Sequence, residues 1–95
     1  ANLTQADMRG VTLRQANIRD AQLNGANVRG ADVREANLTR ADMTEDDLRE
    51  ANLCGSDMQE ANLNKALLTN AKYNSETKWP EGFDPVVAGA VFVNT

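Results

Sequence analysis

Apolar residues recur along this chain with a period of five. From Leu3 onward the centre of each quintet is aliphatic: Leu3, Met8, Leu13, Ile18, Leu23, Val28, Val33, Leu38, Met43, Leu48, Leu53, Met58, Leu63 and Leu68, with Tyr73 closing the series. The residue two places before each centre is nearly always Ala. On an α-helix those two columns would lie about 200° apart and a period of five would drift round the axis, so no single face would be buried. In an extended segment residues two apart share a face, which puts Ala1 with Leu3 and Ala16 with Ile18 on one interior side. The next Ala comes three residues after a centre, where an unbroken strand would turn it outward, so the chain has to bend once in every unit. A three-residue extended piece and a two-residue corner, repeated with one hand, predict an all-β solenoid whose coils stack at about 4.8 Å. Periodicity leaves open whether a coil has three sides or four.

The polar positions fit corners and an outer wall. Before the centres stand Asn2, Asp7, Asn17, Asn27, Asp32, Asn37, Asp42, Asp47, Asn52, Asp57 and Asn62, with Thr12 and Gln22 as variants. Such side chains bond nearby backbone and tolerate unusual dihedrals, which suits a turn. After the centres come mostly polar residues, then often a glycine at the fifth place (Gly10, Gly25, Gly30, Gly55). Val11 and Ser56 replace Ala by residues of similar size. Asp46 is an irregular inward position, because a carboxylate on a small-residue seat is costly unless it accepts hydrogen bonds or reaches water. It is expected to be a solvated or backbone-bonded irregularity. A cation site formed with Glu45, Asp47 and Glu50 is the competing reading, and this cluster lacks a recognisable loop of converging oxygens.

The units Ala-Asn-Leu-Thr-Gln, Ala-Asp-Met-Arg-Gly and Ala-Asn-Ile-Arg-Asp resemble those of the pentapeptide-repeat family, whose pattern is Ala-(Asn or Asp)-Leu-X-X. The resemblance covers residues 1–75. It implies a right-handed quadrilateral parallel β-helix with four units per coil, hence nearly four coils, with the centre and Ala columns inside. Positions twenty apart would then stack, placing Arg9, Arg29 and Arg49 in one outer column and Arg14 with Arg34 in the next. With Asp7, Asp47 and Glu50 beside them, these columns are expected to be solvated faces of mixed ion pairs rather than a comb for an anionic partner.

From Ser75 the count of five fails. Residues 76–95 are expected to form a short C-terminal cap, helical from about 84, because Asp84 followed by Pro85 is a helix start. Trp79, Phe83, Val87 and Val91 supply apolar area to close the last coil, whose open end would otherwise invite edge pairing. The segment Trp79-Pro80-Glu81-Gly82-Phe83-Asp84-Pro85 is also similar to the tail that follows the last repeat in many bacterial, notably cyanobacterial, family members. The beginning has no matching cap; two such ends could stack into a homodimer, or further repeats precede Ala1.

Composition narrows function mostly by exclusion. The chain carries net charge −4 and no histidine. Its single cysteine, Cys54, follows Leu53 and is expected to point outward, so no internal disulfide forms. No apolar run is long enough to cross a bilayer as a helix, and cytoplasm is the expected compartment. With no base beside Cys54 or the serines, no phosphate-cradling loop and no metal-ligand spacing, catalysis and cofactors are not expected. Direct nucleic-acid binding is not expected either, since the repeat faces lack stacking aromatics. The expected role is a non-catalytic scaffold for an unidentified protein partner. A second role follows from the resemblance alone: some family members imitate duplex DNA and bind type II topoisomerases such as DNA gyrase. Those proteins look like longer, strongly acidic dimeric rods, whereas Arg9, Arg14, Arg19, Arg29 and Arg34 occupy the first units here.

Overall fold

A computed structural model of the chain describes residues 2–94; Ala1, the first expected Ala seat, lies outside them. Each quintet closes its corner by a backbone bond from the following N–H to the centre carbonyl, as Ala6 to Leu3 at 3.0 Å and Ala41 to Leu38 at 3.0 Å. In this kind of turn the third residue needs φ > 0. The fifth residue of the unit takes that conformation from Gln5 to Asn70, ten times without being glycine. The strained corner position is therefore the fifth place, not the Asn or Asp before the centre. Glycine has a second reason at Gly25 and Gly55, where an added Cβ would sit 3.2 Å from Gln5 Cγ and Glu35 Cγ of the preceding coil.

The Asn and Asp residues hold the corner from the other side. In all eleven, the side-chain Oδ1 accepts the N–H two residues on, for example Thr39 N–H to Asn37 at 3.1 Å and Cys54 N–H to Asn52 at 3.1 Å. These bonds supply an acceptor to an N–H that the corner turns away from the ladder.

Coils join by parallel single-residue bridges in which partners are twenty residues apart: Asn2 with Gln22, Asp7 with Asn27, Thr12 with Asp32, Asn17 with Asn37, and so on to Asn52 with Lys72. Twenty residues are four quintets, so each coil has four sides. Register shifts only in the tail. Asp57 pairs with Lys78, twenty-one residues on. The strand β1 (Lys72–Tyr73) pairs in parallel with β2 (Val91–Phe92), Lys72 opposite Val91 and Tyr73 opposite Phe92.

The lumen holds the expected columns. Leu23, Leu38, Met43, Leu48, Leu53, Met58 and Leu68 are essentially sealed from solvent, and Val28, Val33, Leu63 and the Ala seats 21, 26, 31, 36, 41, 51, 61 and 71 are buried with them. Ser56 fits its Ala seat by donating its hydroxyl to Leu53 O at 2.8 Å. The first coil is less covered: Met8 is buried, but Leu3, Leu13 and Ile18 are half-buried because no coil lies on their outer side. Tyr73 is also half-buried, under the tail.

The tail departs from expectation. Asp84 does cap the following turn, accepting the N–H groups of Val86 and Val87 at 3.0 and 3.3 Å. The turn then ends at once: Gly89 at φ +92° donates to Val86 O, and Ala90 donates to Pro85 O, a left-handed C-terminal closure. There is a single capped turn in place of a helix, and the chain proceeds directly into β2. Without a helix no amphipathic face forms, so Val87 is 82% exposed rather than part of the plug. Val91 is likewise exposed, because it takes the outward register of Lys72. Trp79 and Phe83 do pack against the core, stacked with ring centroids 5.2 Å apart, and Trp79 meets Tyr73 edge-on at 5.5 Å. Ala88 and Ala90 complete the cover.

Candidate functional site

The lumen is filled by aliphatic and small side chains, with Asp46 the buried carboxylate among them, and the solvent-accessible polar groups lie on the outer faces and the two ends. On the faces every arginine has a carboxylate beside it. Arg9, Arg34 and Arg49 fold back on Asp7, Asp32 and Asp47 of their own units, each through two nitrogens at 2.6–2.8 Å. Arg40 reaches Asp20 across coils at 2.7 Å, Arg29 reaches Glu50 at 3.2 Å, and Arg19 and Arg14 lie 3.7 and 4.0 Å from Asp20 and Glu35. The guanidinium bonds hold Asp7 and Asp32 down to a pKa of about 2 and lower those of Asp20 and Asp47. The pre-centre Asp thus serves twice: one oxygen takes the corner N–H, and both grip the arginine two residues on. Spread along the chain, residues 1–40 carry six arginines against four acids, and residues 41–60 carry one arginine against seven acids.

Asp46 lies in that acidic coil and is completely buried. Its Oδ1 accepts the Ala26 N–H at 3.0 Å, while Oδ2 has no partner. Loss of hydration, reinforced by Asp42 nearby and opposed by the Ala26 and Gly25 amides, raises its pKa from 3.8 to about 7. Its neighbours Glu45 and Glu50 face solvent and Asp47 is committed to Arg49, so the four acids do not converge. Among the described residues no group of acids and cysteine is arranged to hold a metal ion.

Cys54 is buried, contrary to its expected exposure. It does lie outside the lumen, but the segment 74–77, where the register gains its extra residue, folds over it. That segment is pinned by Gly55 N–H, which donates to Asn74 Oδ1 at 3.0 Å and Thr77 Oγ1 at 3.1 Å, and by Thr77 Oγ1, which donates to Leu53 O at 3.0 Å. The cover leaves a polar pocket of about 190 Å³ lined by Arg14, Arg34, Glu35, Cys54, Gly55, Asn74 and Glu76. A larger groove of about 400 Å³ opens at the tail, between residues 63–66 and residues 80–83. The sequence held a signal for the strained corner, four glycines at the fifth place, but none for this folded-over segment.

The pattern described as Pentapeptide repeats matches in eight copies over residues 1–34, 16–52 and 47–72. Among solved structures the chain is similar to a pentapeptide repeat protein from Nostoc Pcc 7120, at 35% identity and TM-score 0.76, covering 98% of this chain and 81% of that one. It is similar to a second from the cyanobacterium Cyanothece 51142, at 27% identity and TM-score 0.81, covering 82% and 53%. A third, from the Arabidopsis thaliana thylakoid lumen, is 32% identical at TM-score 0.74, covering 94% and 59%. The chain therefore spans little more than half the length of the last two. No curated protein matches it in sequence. These likenesses imply a right-handed quadrilateral β-helix.

Proposed function

The chain belongs to the pentapeptide-repeat family, and on that premise we propose that it is a non-catalytic scaffold that presents rigid faces to a protein partner. The observation that carries this reading is the pairing of all seven arginines with carboxylates, which gives the faces mixed charge. Ion pairs of this exposure contribute little to stability, so the pattern of signs is free to encode recognition. A partner that reads such a face binds by complementary charge and shape over a flat area, with no pocket required. The corner chemistry supports the same reading, since each outward residue is set on a backbone fixed by the ladder.

Imitation of duplex DNA needs a face of one sign. Residues 41–60 approach that density, but the paired arginines of the first two coils interrupt it. The test is affinity capture from cells with the native chain and with Arg14→Glu/Arg34→Glu, both checked for equal melting. Loss of a captured protein from the variant alone supports the scaffold. Inhibition or protection of DNA gyrase in a supercoiling assay at micromolar protein would replace the reading with DNA mimicry. Cytoplasm is the compartment assumed for the experiment. No helix among the described residues is long and apolar enough to cross a membrane.

A further inference from the structure

On the side of the coil that begins with Leu3, the ladder uses the same two donors in each turn. Leu3 and Gln5 give their N–H groups to Gln22 O and Asn24 O, Leu23 and Gly25 to Asp42 O and Thr44 O, Met43 and Glu45 to Asn62 O and Asn64 O. The next pair, Leu63 and Lys65, donates to no backbone carbonyl among the described residues. The tail cannot supply one. It covers the path from Lys78 to Val91 in thirteen residues, where Asp57 to Lys72 took fifteen. It therefore crosses this side out of register. Residues 80–83 stand off as one wall of the 400 Å³ groove, and Leu63, Asn64, Lys65 and Ala66 form the other.

We propose that this groove takes an extended segment of a partner polypeptide, added as a parallel strand over residues 63–65. The chemistry of the edge selects this occupant: two N–H donors in strand register ask for two carbonyls two residues apart, which extended backbone provides. In the coils below, the residue between the two accepting carbonyls is Leu23, Met43 or Leu63, turned into the lumen. The occupant's central residue is accordingly aliphatic and lies against Leu63 and Phe83, with small polar residues on either side. Lys65 and Glu81 at the rim accept neighbours of either sign. A second copy of this chain is the poorer fit, because its first coil is a closed square that would have to pass the wall formed by residues 80–83. The inference deepens the scaffold reading by naming a partner's point of entry, and a failure here leaves the outer faces untested.

The experiment measures amide hydrogen exchange by NMR on the whole chain, titrated with a synthetic peptide copying residues 36–45 at millimolar concentration. That peptide carries the carbonyl spacing and central Leu that the edge requires. The expected result is saturable protection, with the Leu63 and Lys65 amides exchanging about tenfold more slowly while those of Asp7, Thr12 and Asn17 on the opposite edge do not change. A scrambled peptide should give no protection, and Phe83→Ala should weaken the effect without altering the ladder below. Equal protection at both ends would mean unspecific edge pairing. Protection that grows with protein concentration in the absence of peptide would assign the edge to a second copy. No saturable protection at all would also overturn the proposal.

Discussion

Two parts of the molecule solve the same burial problem by different means. In the coils from residue 21 to residue 60, apart from Gln22 and Asp46, the elements copy those twenty residues earlier: an aliphatic centre, a small seat, an Asx corner, a left-handed fifth residue. In the tail after Tyr73 nothing is copied, and closure depends on single contacts: Trp79 on Phe83, Ala90 on the core, one capped turn held by Asp84 and Gly89. Repetition gives the body redundancy in its backbone and none in its lumen, where each large side chain is the only one of its layer on its side. The tail has the opposite economy, with valines at 86 and 87 that touch little.

The largest effect should come from the lumen. Leu53→Ala leaves a cavity in the sealed column and should cost about 2–5 kcal/mol in a denaturant titration, whereas Val87→Ala should stay within about 0.5 kcal/mol. Similar losses would erase the distinction between body and tail.

Asp46 sharpens it next, because it sets a buried carboxylate on a seat that elsewhere in the body holds a small residue. Its folded pKa of about 7 lies above the unfolded 3.8, so the folded state holds the proton between about pH 4 and pH 7. Stability should fall as pH rises through that window and level off above it, by an amount on the order of 4 kcal/mol. Asp46→Ala, which restores the seat, should abolish this slope, and denaturation midpoints at pH 5 and pH 8 read it directly. Asp7, Asp20, Asp32 and Asp47 act in the other direction: their lowered pKa values give stability present above about pH 4 and lost as pH falls through the folded values.

Leu67 occupies a pre-centre place without an Asx side chain and is 48% exposed. Leu67→Asn should supply the Thr69 N–H with an acceptor and stabilise the chain by about 0.5–1.5 kcal/mol, visible as a higher melting temperature. A small change, comparable to that of Val87→Ala, is expected from Arg34→Ala in the same measurement, because its pair with Asp32 lies at the solvent-screened surface.

Much of this was legible in the residues, and the reason is local. Ala and Leu two apart, with Asn or Asp between them, state the corner and the inside of each unit within five residues, and the eleven Asx bonds follow from residue type alone. The left-handed fifth place was half-written, in four glycines, and obscured by ten other residues that bear the strain. Cys54 could not be placed from its quintet, because what covers it is the segment 74–77, brought over it only by the one-residue shift in register. The tail was misjudged for a related reason: Asp84-Pro85 announces a helix, but Gly89 and the pairing of Val91–Phe92 with Lys72–Tyr73 stop it after one turn.

By itself the sequence determined which side chains line the lumen, since the two-residue alternation of extended chain and the bend after each centre leave no other buried column. Only the tertiary structure decided that four corners close a coil, that Asp46 is sealed from water with its pKa raised by burial, and that Leu63 and Lys65 end on an open edge. Those outcomes sum angles, hydration and register over twenty residues or more, and no five-residue window contains that sum.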